Sequence, residues 1–288
     1  MTKELVDQDS LALEAIEIQH EPWLTDADIK MYDFSSHLLY LKQNRYFFLP
    51  EPVQLEIPTS WIERPFMVIA NGQRRYIGVF KGFIDNKPWP VPYIDNSYNY
   101  MYPEDLMIIT WHWFDHDETD NRNDSLIKDA LKKANILHNG LDLKLKNILF
   151  TDNSDTATVE YTFTVINNDV DVLYILDPDK MGSELFHLYN IGPQFVKSDE
   201  VGVRTSFKRP AITIPNNPMN QDWFVKLKSG DSITRTVSLR GYAFFPSGTY
   251  SCETTYHCIN KISQVQRTIS DGRYWIGPTK SNLIYLQY

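Results

Sequence analysis

Apolar and polar residues alternate along much of the second half of the chain. In the stretch from 222 to 256, DWFVKLKSGDSITRTVSLRGYAFFPSGTYSCETTY, the apolar residues Trp223, Val225 and Leu227 occupy every second position. Because successive side chains of a strand point to opposite faces, this spacing predicts a half-buried β-strand. Ser-Gly-Asp and Pro-Ser-Gly segments then supply turns before two further strands. The stretch therefore predicts three strands and two turns, which is typical of a β-sandwich.

The same pattern continues through the rest of the second half. Short runs rich in β-branched and aromatic residues are separated by turn residues such as Asn167-Asn168-Asp169 and Asp177-Pro178-Asp179. Together these signals predict eight or nine strands, at 141–150, 156–166, 172–176, 185–189 and 204–207, within 222–256, and at 282–288.

The first half predicts strands together with one amphipathic helix at 125–137. Apolar residues recur there at spacings of three and four, Asn123 or Asp124 can cap the start, and His138-Asn139-Gly140 can end it. Earlier in the chain, Asn71-Gly72 stands between two apolar runs, which is a strong signal for a two-residue β-hairpin turn.

These elements predict a mostly β protein with two domains. Residues 1–22 are acidic and polar and are expected to form a partly ordered tail. Residues 23–140 are expected to form a smaller α+β domain, and residues 141–288 a β-sandwich domain. The length of 288 residues favours two domains over one.

The second half resembles the immunoglobulin-like β-sandwich modules of secreted bacterial proteins. The resemblance rests on an ordered series of segments: ATVEYTFTVINN, VLYILDP, a KLKSGDSIT hairpin, FPSGTY and WIGPTKSNLIYL. Tyr250-Ser251-Cys252 also resembles the tyrosine corner of immunoglobulin domains. The chain has no cysteine before residue 252, so it cannot form the inter-sheet disulfide of that family. The resemblance implies an architecture and an extracytoplasmic location, and it carries no functional site.

Composition and charge narrow the classes of function. The formal charge of −9 argues against nucleic-acid binding, because such proteins need clustered cations facing the phosphates. No apolar run approaches the length of a membrane span, and the start of the chain lacks a signal-peptide pattern. Cys252 and Cys258 would lie about 20 Å apart on one extended strand, so a disulfide between them requires a turn near residue 256. Cytoplasmic and extracytoplasmic locations both fit the composition.

An acidic loop at 115–124, DHDETDNRND, is the densest group of candidate metal ligands. Asp115, Asp117 and Thr119 stand at positions 1, 3 and 5 of an EF-hand-like loop, the spacing that places oxygens around calcium. The candidate calcium ligands are Asp115, Asp117 and Asp120. The glycine and the final glutamate of that loop type are missing, so the alternative is a solvated loop that caps the following helix. No other cofactor is expected.

A second candidate site is the proline-punctuated segment from 88 to 103. Its aromatic side chains alternate with amide and carboxylate groups, as in many recognition surfaces. The alternative is a loop folded onto its own core, with half-buried tyrosines. The candidate ligand-binding residues are Trp89, Tyr93, Asn96, Tyr98, Tyr100 and Tyr102.

The sequence shows no assembled catalytic constellation, and a non-catalytic function is expected. The first hypothesis is a binding or accessory protein of a bacterial cell surface or secreted system, which recognises a protein or glycan through aromatic loops. Two alternatives stand beside it. One is a carboxylate- or metal-dependent hydrolase that uses residues 112–124, and the other is a structural or assembly subunit that pairs through an edge strand at 282–288.

Overall fold

A computed structural model describes residues 13–48, 64–81, 91–95, 102–111, 120–153, 155–198, 204–207, 220–243, 245–257 and 268–288. The described residues are mostly β, as the sequence predicts. The chain divides into two compact units, Met1–His138 (unit 1) and Asn139–Tyr288 (unit 2). Among the helices in the described ranges, none is long and apolar enough to cross a membrane.

The described residues of unit 1 form two small sheets. Its strands are β1 (Ile29–Asp33), β2 (Leu38–Leu41), β3 (Arg64–Ala70), β4 (Gln73–Lys81), β5 (Tyr93–Asp95), β6 (Leu106–Ile108) and β7 (Leu137–His138). One sheet has the order β6-β2-β1-β7 and the other the order β3-β4-β5. An isolated antiparallel bridge between Tyr93 and Thr110 joins the end of one sheet to the region that follows β6.

The predicted hairpin at Asn71-Gly72 is confirmed. Strands β3 and β4 pair in antiparallel register, and the two turn residues have φ values of 50° and 77°. Two successive positive φ angles define the type I′ turn, whose twist matches that of the flanking strands. Across the ladder Phe66 faces Gly78, and a Cβ at Gly78 would lie 2.1 Å from the phenyl ring. The glycine therefore leaves room for the ring against the strand.

The predicted helix is shorter than expected. Unit 1 has a single-turn helix α1 (Arg45–Phe48) and the amphipathic helix α2 (Ser125–Lys133), capped by the carboxylate of Asp124. The prediction of a helix up to residue 137 was wrong, because Asn135 adopts a φ of 57° and ends the helix there. The amides of Asn135 and Ile136 bond the carbonyls of Lys132 and Leu131, which is the Schellman arrangement.

Helix α2 packs on both sheets through its apolar stripe. Ile127 is buried, and Ala130, Leu131 and Ala134 pack against the same core. The core of unit 1 also contains side chains from both sheets: Ile29, Tyr32, Leu39, Leu41, Phe66, Ala70, Tyr76, Phe80, Ile94, Met107, Ile109 and Ile136. This shared core fixes the positions of the strands relative to the helix.

Unit 2 is built mainly from strands in three sheets. They are β8 (Leu141–Asn153), β9 (Thr156–Asn167), β10 (Leu173–Leu176), β11 (Ile191–Ser198), β12 (Arg204–Phe207), β13 (Phe224–Leu227), β14 (Ser232–Ala243), β15 (Thr249–Tyr256), β16 (Thr268–Ile269), β17 (Gly272–Tyr274), β18 (Thr279–Lys280) and β19 (Ile284–Gln287). The orders are β14-β9-β8, β13-β10-β17-β16 and β12-β11-β15-β18, with β19 also paired to β15.

The three strands predicted within 222–256 are present as β13, β14 and β15, but they do not pair with one another. β13 pairs with β10, β14 with β9, and β15 with β11. The hairpin expected between β13 and β14 was therefore wrong: the turn at Gly230 carries the chain from one sheet to another. Strands that follow one another in sequence but lie in different sheets are common where sheets pack face to face.

The segment 185–189, predicted as a strand, is helical. Helices α3 (Pro178–Met181) and α4 (Ser183–Tyr189) follow β10 without a strand between them. Phe186 lies on the buried side of α4 and stacks on Phe163 of β9, with centroids 5.7 Å apart. Burial of this aromatic side chain stabilises the short helix, whose own seven residues would be marginal in water.

Tyr250 forms the hydrogen bond expected from a tyrosine corner. Its hydroxyl donates to the carbonyl of Pro246, four residues upstream. The ring is fully buried and packs edge-on against Phe245, at a centroid distance of 5.8 Å. Phe245 also contacts Phe195 and Phe150, at 5.0 Å each. The aromatic residues that begin β15 therefore belong to the core of unit 2.

Candidate functional site

The aromatic segment predicted to bind a ligand is described only in part. Tyr93 and Tyr102 are buried, with 6% and 5% of their surface exposed. The other four candidates, Trp89, Asn96, Tyr98 and Tyr100, lie outside the described residues. Tyr93 and Tyr102 therefore pack inside unit 1, and ligand binding by the segment stays a prediction.

The N-terminal end of this loop is fixed by β5. Tyr93 pairs with Val79 of β4 in parallel register, and it exchanges two backbone hydrogen bonds with Thr110, at 2.8 and 2.7 Å. The ammonium of Lys81 lies 5.0 Å from the centre of the Tyr93 ring and 3.9 Å from the carboxylate of Asp95. Asp95 itself is 5% exposed. The backbone and the side chains thus hold residues 93–95 from two directions.

The C-terminal end of the loop is fixed by a buried arginine. Arg45, on α1, is 3% exposed. Its Nη1 donates to the carbonyls of Tyr102, Pro103 and Leu106, at 3.2, 2.6 and 3.2 Å. The backbone amide of Arg45 donates to the carbonyl of Glu104 at 2.6 Å. Carbonyl oxygens thus take the place of water around the guanidinium, since a buried charge needs such partners.

Residues 96–101 are therefore attached at both ends to a packed framework. Asp95 ends β5, and Tyr102 begins the segment bonded by Arg45. We call these two attachments the loop base. Binding residues are commonly placed on loops that a rigid scaffold positions, because a fixed base lowers the entropy lost when a ligand binds. The loop base is the strongest structural argument for function at this segment.

The acidic loop has a similar attachment. Asp115 and Asp117 lie outside the described residues, and Asp120 lies within them. The carboxylate of Asp120 accepts from Nε and Nη2 of Arg122, at 2.9 and 2.6 Å, and from the Arg122 amide at 3.0 Å. Nη1 of Arg122 donates to the carbonyl of Ile109 at 2.7 Å, so this side chain links residue 120 to the segment that follows β6.

The Arg122 contacts bear on the calcium hypothesis. Burial raises the pKa of Asp120, but the hydrogen bonds and the charge of Arg122 outweigh it and bring the pKa below its usual range. The carboxylate is thus ionised, yet both of its oxygens are directed at a guanidinium that would repel a cation. Asp120 serves as the partner of Arg122 in this structure. Calcium binding by Asp115 and Asp117 stays a prediction.

His37 lies close to the carboxylate that pairs with Arg122. It is 3% exposed and has a φ of 52°, an uncommon conformation for a residue with a Cβ. Its Nδ1 lies 3.0 Å from the hydroxyl of Tyr32, and its Nε2 lies 3.9 Å from a carboxylate oxygen of Asp120. Burial and the charge of Arg122 lower the pKa of His37 well below its usual range, so the imidazole is neutral near pH 7.

The neutral imidazole has a measurable consequence for stability. Below about pH 6.5 the imidazole of His37 binds a proton in the unfolded state but stays neutral in the folded state. The free energy of unfolding is therefore expected to fall as the pH drops. One such group contributes a slope of up to about 1.4 kcal/mol per pH unit. His37→Asn, which keeps a residue tolerant of positive φ, is expected to reduce the slope of unfolding free energy between about pH 7 and 5. An unchanged slope in urea denaturation would contradict this assignment.

Sequence reasoning missed Arg45, Arg122 and His37 as organising residues. Arg122 is the lone cation in DHDETDNRND, which contains five acidic residues, and that contrast was the available signal. Arg45 and His37 carry no comparable local pattern, because the carbonyls that Arg45 bonds and the carboxylate near His37 lie about 60 and 80 residues further along the chain. Only the folded arrangement brings these groups together.

Cys252 does not form a nucleophilic site in unit 2. It is 1% exposed on β15, and burial raises the pKa of its thiol well above the usual value. A thiol that remains protonated is a poor nucleophile. It is a free cysteine, and Cys258 lies outside the described residues.

Comparison with known proteins identifies no family. No family model matches the sequence, and no curated protein matches it. A chain solved by X-ray as a target of the Northeast Structural Genomics Consortium superposes on 52% of this chain and 87% of its own, with 12% identity and a TM-score of 0.25. A Bordetella pertussis protein from the same consortium superposes on 51% of this chain and 93% of its own, with 10% identity and a TM-score of 0.24. A β-glucosidase from Kluyveromyces marxianus superposes on 51% of this chain and 14% of its own, with 11% identity and a TM-score of 0.19.

Proposed function

We propose that this chain is a non-catalytic binding protein that recognises a protein or a glycan through the aromatic loop at 96–101. The observation that supports this proposal is the loop base. Arg45 holds the carbonyls of Tyr102, Pro103 and Leu106, and β5 holds the other end at Asp95. A catalytic role would need reactive groups directed at a substrate, whereas Asp120 is directed at Arg122 and Cys252 is buried.

The chemistry of the loop suits recognition. Tyr98 and Tyr100 each offer a large, rigid ring with a polar end, and Asn96 offers both a donor and an acceptor. Ring faces stack on the apolar faces of sugars and on aliphatic side chains, while amides and hydroxyls hydrogen bond to polar groups of either ligand. Tyrosine achieves this contact with two side-chain torsions, so it loses little conformational entropy on binding.

The architecture of unit 2 and the location of the protein belong to the same proposal. The Tyr250 corner and the assignment of successive strands to different sheets support an immunoglobulin-like sandwich for residues 139–288. Because the sequence of unit 2 resembles the immunoglobulin-like modules of secreted bacterial proteins, we place this protein in a cell-surface or secreted system as an accessory binding component. The superpositions reported above contribute nothing to this argument.

Binding can be tested on the full chain with defined glycans and displayed peptides. Ligands found on a glycan array or in a displayed peptide library are titrated by calorimetry against wild type, Tyr98→Ala and Tyr100→Ala. Each alanine variant is expected to weaken binding by about 30-fold, the effect of removing a central aromatic contact. The matched control is Tyr285→Ala, which removes a tyrosine of unit 2 that is 68% exposed.

The outcomes separate the proposed site from general adhesion. If Tyr285→Ala binds the ligand with unchanged affinity while Tyr98→Ala binds it more weakly, the result supports residues 96–101 as the binding surface. Equal losses in all three variants, or none in the two loop variants, would exclude residues 96–101 as the binding surface. Failure of both screens, with turnover of a substrate by the wild-type chain, would favour the hydrolase alternative.

A further inference from the structure

The sequence contains two Asn-Gly pairs, and their surroundings differ in the structure. They are Asn71-Gly72 and Asn139-Gly140. In such pairs the backbone nitrogen of glycine can attack Cγ of asparagine, forming a cyclic succinimide and releasing ammonia. Water then opens the succinimide to aspartate or isoaspartate. The glycine favours the reaction in both pairs because it has no side chain to hinder the attacking nitrogen.

Asn71 lies at the exposed tip of the β3–β4 hairpin. Its φ is 50° and that of Gly72 is 77°, and both residues are exposed. A Cβ built on Gly72 would meet no atom within 4 Å, so the turn is surrounded by open space. No neighbouring atom therefore crowds the glycine whose nitrogen attacks. Water also has direct access to the product ring.

A lysine lies beside the reacting side chain. Nζ of Lys133, in the last turn of α2, lies 3.2 Å from Oδ1 of Asn71. Nδ2 of the same amide, which departs as ammonia, makes a long contact of 3.5 Å with the carbonyl of Leu126. When Cγ is attacked, Oδ1 takes up negative charge, and an ammonium at hydrogen-bond distance stabilises that charge. The leaving nitrogen is held only weakly.

The second pair is restrained at its glycine. Gly140 is buried, and its amide donates to the carboxylate of Asp169 at 3.1 Å. Its carbonyl accepts from the amide of Asn168 at 3.0 Å, so both sides of the residue are bonded. Attack on Asn139 requires loss of the amide proton, which a neighbouring carboxylate opposes. This pair is therefore protected while unit 2 is folded.

We propose that Asn71 is a site of spontaneous deamidation in the folded protein and that Asn139 is not. Conversion to aspartate places a carboxylate opposite Lys133 and changes the formal charge from −9 to −10, because one neutral amide becomes one negative charge. The isoaspartate product adds a methylene to the backbone at a turn that needs two specific φ values, so it disrupts the hairpin tip.

The two rates can be measured in one sample. The full chain is incubated in mildly alkaline buffer and its tryptic peptides are followed by mass spectrometry over days. In the native protein Asn71 is expected to convert at least several-fold faster than Asn139. In guanidinium chloride, where neither turn exists, the two rates are expected to be similar. Conversion of Asn139 at the rate of Asn71 in native protein would overturn the proposal.

Two surface variants test the contribution of the ammonium. Lys133→Met is expected to slow conversion of Asn71 by about two- to fivefold, the effect of losing one exposed charge contact. Lys132→Met removes the adjacent exposed lysine of α2 and is expected to leave the rate unchanged. Equal slowing by both variants, or no effect of Lys133→Met, would show that the 3.2 Å contact does not assist the reaction.

Discussion

Replacement of Arg122 by methionine is expected to lower the free energy of unfolding by about 3 kcal/mol, the lower end of the range for breaking a buried ion pair. The variant removes the guanidinium that donates to both carboxylate oxygens of Asp120, and it leaves the carbonyl of Ile109 without its donor. We take the lower end because the side chain of Asp120 is still 22% exposed, so water compensates part of the loss. Urea denaturation of wild type and variant measures the difference.

A double variant separates the ion pair from the shape of the side chain. Asp120→Asn with Arg122→Met removes both charges and is expected to recover part of the stability lost by Arg122→Met alone, with an interaction energy of about 1–2 kcal/mol. The matched control is Arg75→Met, since Arg75 also bonds a carboxylate, that of Asp124, while its own side chain is 25% exposed against 10% for Arg122. A loss for Arg122→Met no greater than that for Arg75→Met would mean that the Asp120 pair is effectively solvated.

Several elements could be predicted because their signals are local. The type I′ turn at Asn71-Gly72 needs only two residues that tolerate positive φ between two apolar runs. The strands β14 and β15 show a period of two over most of their length. Asp124 caps α2 through a hydrogen bond to an amide two residues away. In each case the determining contacts lie within a few positions of one another.

The errors arise where distant contacts outweigh the local pattern. The periodicity of α2 continues to residue 137, but the helix ends at Lys133, the chain turns at Asn135, and Ile136 is buried in the unit 1 core. Residues 185–189 form a short apolar and aromatic run that resembles a buried strand, yet Phe186 stacks on Phe163 from a helix. Gly230 permits a tight turn equally well within a hairpin or between two sheets, so the local sequence does not determine the partner strand.

The loop base depends on both a local signal and a distant contact. The local signal is the proline-rich, aromatic composition of residues 88–103, which predicts a recognition segment. The residue that holds its end, Arg45, precedes it by more than 50 positions and resembles any other arginine in its local sequence. Arginine is usually exposed, so its 3% exposure is a property of the fold alone.

Replacement of Arg45 by methionine is expected to lower the free energy of unfolding by about 2–4 kcal/mol, because buried carbonyls lose their donor at about 1–3 kcal/mol each when nothing replaces it. Three carbonyls share Nη1, which carries two hydrogens, so their costs are not additive. The methionine side chain keeps the packing of the aliphatic stem and removes only the guanidinium. Urea denaturation gives the global cost, and hydrogen exchange at the Leu106 amide, bonded to Pro103, reports local opening.

The control and the binding measurement decide whether Arg45 serves stability alone. Lys42→Met removes an exposed cation that also donates to a carbonyl, that of Ala27 at 2.7 Å, and is expected to cost less than about 1 kcal/mol. At a temperature where Arg45→Met remains folded, this variant is expected to lower the affinity for any ligand whose affinity Tyr98→Ala lowers. The reason is that the loop base is then less ordered, so more entropy is lost on binding. Undiminished affinity in folded Arg45→Met would separate recognition from the loop base and leave the arginine a purely structural role.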